Sequence, residues 1–272
     1  MSKKYAGNNA IPKSVETIQL LKAMGKSIFF YSNSSSRARE QVSDKLRTLG
    51  IDTDPSRVYT ASYVMAHYLK DFHPNINKVF AVGMEGLIFE LKRVGLTVLD
   101  SQHYEVQTEK WDFLSSVNLD PDIGAVVMGF DSGFNYFKLA VTGVLLSKPD
   151  CLFLTTNGDT YDLIDGIKHP ETAAYVAAIQ GFINRSPDVV VGKPNPLMFN
   201  FLQRDHPNVI NERTCMVGDR LDTDMSFARN SGMKKLLTFT GVTQTTELES
   251  LLNSDIDYFI HYLGRIYEII KN

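Results

Sequence analysis

The chain has 272 residues, 43% hydrophobic and 22% charged, and its 28 basic against 31 acidic side chains leave a net charge of −3. That length suits one large domain or a domain with a sizeable insertion, and the near-even charge excludes a global field that would draw nucleic acid or an anionic membrane. No apolar run approaches the roughly 20 residues needed to cross a bilayer, and Met1-Ser2-Lys3-Lys4-Tyr5 leads into no apolar secretory core. Cys151 and Cys215 each lie within or beside an apolar run, which predicts buried thiols in a reducing compartment and a cytoplasmic protein.

Taken in chain order, helix and strand alternate over the first seventy residues. Val15, Ile18 and Leu21 mark one helix face, closed by Gly25, and Ser27–Tyr31 is a continuous apolar strand. Val42, Leu46 and Leu49 then share a second helix face that ends at Gly50, and Lys78–Val82 is a strand stopped by Gly83. Further on, a strand at 122–130, a helix from Tyr136 to Leu146 and a strand from Cys151 to Thr155 read as a smaller α/β unit. The alternation returns with strands at 214–218, 234–240 and 256–260. Strands alternating with helices imply βαβ units and a parallel sheet. The expected division is a Rossmann-like core at 1–83 and 187–272, interrupted by an α/β cap at 84–186.

Three stations follow strands. Residues 214–224 read Thr-Cys-Met-Val-Gly-Asp-Arg-Leu-Asp-Thr-Asp and deliver Asp219, Asp222 and Asp224 within six positions. Carboxylates at a strand end suit Mg²⁺, which takes one or two of them beside substrate phosphate and water. Tyr31-Ser32-Asn33-Ser34-Ser35 offers hydroxyls and backbone N–H groups that could cradle an anion at a helix start. Gly192-Lys193-Pro194-Asn195 fixes a loop that aims an ammonium. Alone, each also fits a plainer role: a helix-capping acidic turn, an N-cap with spare serines, an exposed turn with a surface lysine. Together, a hydroxyl, a lysine and metal-binding carboxylates are the parts that hold a phosphoryl group and neutralise its charge during transfer. The six histidines (67, 73, 103, 169, 206 and 261) do not cluster at metal-ligand spacing, and Trp111 reads as a core residue.

In order and setting these motifs resemble the haloacid dehalogenase superfamily, in its 4-nitrophenylphosphatase and phosphoglycolate phosphatase branch. The core carries Gly25-Lys26, Ser32-Asn33, Gly50-Ile51, Gly192-Lys193-Pro194, Gly218–Asp224 and Thr240-Gly241-Val242. The cap carries Gly129-Phe130-Asp131, Tyr136, Lys138-Leu139 and Thr156-Asn157-Gly158-Asp159. The resemblance implies a Mg²⁺-dependent phosphatase acting on a small phosphorylated metabolite such as phosphoglycolate, an aryl phosphate or a pyridoxal phosphate-like compound. It implies catalytic roles for Ser32, Lys193 and Asp224, and Mg²⁺ held by Asp219 and Asp224. Substrate contacts would come from Ser32, Asn33, Ser34, Lys193 and the cap turn at Asn157 and Asp159. Neither nucleic acid nor membrane is expected as a partner, and the resemblance permits a homodimer through the cap.

The match departs in two places. The family's Asp-x-Asp-Gly loop, whose first Asp is the nucleophile, has no counterpart: Tyr5-Ala6-Gly7-Asn8 corresponds to the turn downstream of it, and the first Asp of the chain is Asp44. The expectation is an N-terminally truncated form, its central first strand missing, inactive by the aspartyl-phosphate route and unstable as it stands. The alternative is a phospholigand-binding pseudoenzyme of the same fold, and a third reading is a structural partner dimerising through its cap. In the cap, His169-Pro170-Glu171-Thr172 stands where relatives carry Pro-Gly-x-Gly, so substrate identity does not transfer.

Overall fold

A computed structural model describes residues 5–6, 9–100, 119–164, 166–243 and 255–271. Trp111, His103 and the Gly7-Asn8 turn lie outside the described residues. In chain order the elements begin with strands β1 (Tyr5–Ala6) and β2 (Asn9–Ala10), helix α1 (Ser14–Ala23), β3 (Phe30–Ser32), α2 (Arg39–Thr48), β4 (Val58–Thr60) and α3 (Ala61–Phe72). Next come β5 (Lys78–Val82), α4 (Glu85–Arg93), β6 (Thr97–Asp100), β7 (Ile123–Met128), α5 (Tyr136–Leu146), β8 (Leu152–Thr155), β9 (Tyr161–Ile164), β10 (Ile167–Pro170), α6 (Thr172–Ile183) and β11 (Val189–Val190). The chain closes with α7 (Leu197–Asp205), β12 (Cys215–Gly218), α8 (Ser226–Asn230), β13 (Lys234–Thr238), β14 (Tyr258–Ile260) and α9 (Arg265–Lys271). The fold is α/β, with parallel sheets and helices between their strands.

Two compact units emerge. The first comprises Met1–Ser32, Arg39–Tyr59 and Lys193–Asn272. Its strands β12, β13 and β14 lie side by side and parallel, Gly218 opposite Leu237 and Leu236 opposite Tyr258, so the turns that follow them leave from one edge. Its core gathers Ile18, Phe30, Val42, Leu46, Ile51, Val58 and Leu263. Two glycines end helices here as the sequence predicts: Gly25 and Gly50 stand at φ +76 and +82, a left-handed conformation that costs glycine nothing sterically. The strand expected at 27–31 begins only at Phe30, because a ladder forms only opposite a partner and β4 is three residues long.

The second unit comprises Asn33–Ala38 and Thr60–Gly192. Its five strands run in the order β11-β8-β7-β5-β6, every pairing parallel. Apolar runs such as Val79-Phe80-Ala81-Val82 and Ala125-Val126-Val127-Met128 are fully buried, the pattern of a sheet covered on both faces. Phe80, Val126, Phe153, Val141, Leu145 and Ile179 form the centre of its core. Strand β5 pairs with both β6 and β7, so it sits inside this sheet rather than on the core side of the division expected after Gly83. Antiparallel β9 and β10 form a hairpin that sequence reading treated as a plain loop, with His169 opposite Asp162. The signal for it was present as Asp165-Gly166 between two strand-like runs. Cys151 is buried, Cys215 is exposed against expectation, and neither forms a disulfide.

Candidate active site

The acidic loop is built by a strand that stops and a helix that starts with a widened turn. Beyond Gly218 the chain enters one π-helical turn, Leu221–Met225, closed by Met225 N–H donating to Arg220 O at 3.1 Å, and continues directly into α8. This turn faces its carboxylates in opposite directions. Asp222 points outward, 66% exposed, in a two-point pair with Arg220 (Nε to Oδ1 3.1 Å, Nη2 to Oδ2 2.7 Å), and that pairing holds its carboxyl below the ordinary range. Asp224 turns inward, 1% exposed. Its Oδ2 accepts from the backbone N–H of Asp219 at 3.0 Å and of Arg220 at 3.3 Å. Gly218 makes room for it, since a Cβ there would lie 2.3 Å from Asp224 Cβ.

Lys193 approaches from the loop after β11, where the Lys193–Pro194 peptide is cis. Its Nζ donates to Asp224 Oδ1 at 2.5 Å, and both side chains are almost wholly buried. Burial opposes the charge on Asp224, but the Lys193 ammonium and the Asp219 N–H outweigh it and hold the carboxyl well below the usual range. Asp219 is the contrary case. Burial, and then the charge of Asp224, push its carboxyl up, and its Oδ1 is buried without a hydrogen-bond partner. The two carboxylates expected to share the cation are therefore differently placed: Asp224 has both oxygens engaged, whereas Asp219 presents one bare oxygen.

Ser32 ends β3, is 2% exposed, and belongs to the same unit as Lys193, Asp219 and Asp224. The other expected substrate contacts belong to the second unit and are largely occupied with one another. Asn157, 1% exposed, donates from Nδ2 to Asn33 O at 3.0 Å, and Asn33 Nδ2 donates to Asp159 Oδ2 at 3.1 Å. Asp159 N–H in turn donates to Asn157 Oδ1 at 3.0 Å. Ser34 is exposed, its Oγ 2.9 Å from that of Ser36. Ser35, buried, accepts from Phe130 N–H at 2.9 Å; sequence reading gave it no separate role. Glu171, half-buried, accepts from Thr172 N–H at the start of α6, and burial raises its carboxyl.

Among the described residues no three His, Cys, Asp or Glu side chains gather as a metal cluster. A lone buried carboxylate oxygen still fits a Mg²⁺ ion, which needs only one or two protein carboxylates when water and phosphate complete its shell. The orphaned Oδ1 of Asp219 is the atom that fits it.

Comparison with known proteins settles the lineage. Residues 5–97 match a family model described as haloacid dehalogenase-like hydrolase, and residues 190–266 match a second, HAD-like hydrolase model. A phosphoglycolate phosphatase of Arabidopsis thaliana is 35% identical over 98% of this chain and 89% of its own length. The chain belongs to the haloacid dehalogenase-like hydrolases. Within that family its likeness is to the 4-nitrophenylphosphatase and phosphoglycolate phosphatase branch. The 4-nitrophenylphosphatase of Schizosaccharomyces pombe is 31% identical over 97% of this chain and 90% of its own. The crystal structure of a 4-nitrophenylphosphatase from Thermotoga maritima superimposes with a TM-score of 0.82 at 28% identity, covering 97% of this chain and 92% of that one. No helix among the described residues is long and apolar enough to cross a membrane.

Proposed function

We propose that the site serves Mg²⁺-dependent hydrolysis of small phosphate monoesters, with phosphoglycolate, 4-nitrophenyl phosphate and pyridoxal phosphate-like compounds as the substrate class. The observation that carries this reading is the buried Lys193–Asp224 pair beside the unpartnered Oδ1 of Asp219. Asp224 keeps Lys193 charged and aimed, and the ammonium offsets negative charge on the phosphoryl oxygens. Ser32 donates its hydroxyl to the phosphoryl group, and Asn33, tied to Asn157 and Asp159, steadies the loop that carries it. Mg²⁺, when bound at Asp219, supplies Lewis-acid stabilisation of charge on the transferring group. The cytoplasm and a homodimer through the cap remain part of the proposal.

The aspartyl-phosphate route also needs a carboxylate nucleophile. Asp219 and Asp224 are assigned above to the cation and to Lys193, and the family's Asp-x-Asp-Gly loop has no counterpart among residues 1–43. The second reading is a protein that binds phosphorylated ligands without turning them over. The deciding experiment is a 4-nitrophenyl phosphate assay, with Mg²⁺ and with chelator, on the chain alone and on a form carrying Asp-x-Asp-Gly ahead of Tyr5. Activity confined to the second form and to Mg²⁺, and lost in Lys193→Ala, is expected. An inactive second form that still binds inorganic phosphate would favour the binding protein, and a fully active chain alone would place the nucleophile elsewhere.

A further inference from the structure

Parallel pairing of β12 with β13 sends the turns after both strands out of one edge of the sheet. The chain after β13 closes against Asp219: Val242 N–H donates to Asp219 Oδ2 at 2.9 Å, and Thr243 N–H to Asp219 O at 3.1 Å. Gly241 is what allows so close an approach. A Cβ at that position would lie 1.6 Å from Asp219 Oδ2, far inside any non-bonded contact. One oxygen of Asp219 is thus locked into the turn, in the space a side chain at 241 would fill, while Oδ1 stays buried and without a partner.

We propose that the turn from Thr240 to Thr243 makes Asp219 a one-oxygen ligand and so selects Mg²⁺ over Ca²⁺, with Gly241 and Val242 as the positioning residues. The inference rests on the metal reading of the preceding section. Ca²⁺ gathers roughly 6–8 oxygens in a flexible shell and often takes both oxygens of a carboxylate, whereas Mg²⁺ demands a tight octahedron and keeps much of its water. With Oδ2 accepting from Val242 N–H and packed close beside Gly241, Asp219 has Oδ1 as its one oxygen without another partner. Offering both would draw Oδ2 away from the part-buried Val242 N–H and out of the space beside Gly241.

The test is calorimetric titration of Mg²⁺ and of Ca²⁺, separately, into the metal-free chain and its variants. The unmodified chain is expected to bind Mg²⁺ the more tightly, and Asp219→Asn to abolish binding of both ions. Gly241→Ala, which displaces the carboxylate, and Val242→Pro, which deletes the N–H, should each lower the Mg²⁺/Ca²⁺ affinity ratio by about tenfold or more. Val242→Ala keeps the N–H and should leave the ratio unchanged. Absence of Mg²⁺ binding, or binding indifferent to Asp219→Asn, removes the metal reading and the proposal with it. Binding that depends on Asp219 but shows the same ratio in Gly241→Ala and Val242→Pro overturns the proposal alone. A second measurement needs no substitution: Val242 N–H should exchange slowly with solvent, and exchange at the rate of an exposed loop overturns the proposal whether or not the variants fold.

Discussion

Lys193, Asp224, Asp219 and Asp222 sit close in sequence or space, yet their surroundings give each a different energetic standing. Lys193→Met should cost about 3–5 kcal/mol, because it leaves Asp224 as an uncompensated buried charge; urea unfolding near neutral pH measures it. Asp219 behaves in the opposite sense. Its folded pKa is raised, so its favourable contribution is present below the unfolded value and is lost as pH rises through the folded one. At neutral pH the ionised group therefore destabilises the metal-free protein. Asp219→Asn should stabilise that form at pH 7, an advantage that thermal unfolding should show shrinking toward acid pH. Asp222→Asn, at an exposed pair, should change stability by less than about 1 kcal/mol and leave Mg²⁺ affinity in calorimetry as it was.

At the scale of elements, the strongest sequence signals were continuous apolar runs and residues that end them. Lys78–Val82 and Tyr136–Leu146 have the bounds that patterning predicts. Helix α5 also has a start signal: Asn135 accepts from Lys138 N–H at 3.0 Å, so Asn135→Ala should cost about 1 kcal/mol, measurable by thermal or urea unfolding. The hairpin β9–β10 was missed because its strands are four residues each, exposed or half-buried, and carry no continuous apolar run. Strand β3 shifted by several residues because its partner, not its own composition, decides which residues pair.

Among the described residues of the whole molecule, one core cluster gathers around Phe30 and Leu46 and another around Phe80 and Phe153. A large cavity in one should therefore loosen that unit before the other. Phe153→Ala should cost about 3–5 kcal/mol, and native-state hydrogen exchange should show the faster amides confined to the strands of the second unit. Equal acceleration in β12 and β13 would show that the two cores unfold as one.

By itself the sequence determined the α/β class, the helix-ending glycines and the placement of Ser32, Lys193 and Asp219 at or just after strand ends, because apolar period, turn chemistry and residue type are local properties. It also carried the family resemblance that the related proteins bear out. Only the tertiary structure decided which strands share a sheet, and hence that β5 belongs with β6 and β7. It also separated the roles of three aspartates that look alike in a row. Whether a carboxylate faces a lysine, an arginine or the backbone of a later turn is set by the π turn after Gly218 and by a turn some twenty residues on, and no local pattern encodes that meeting.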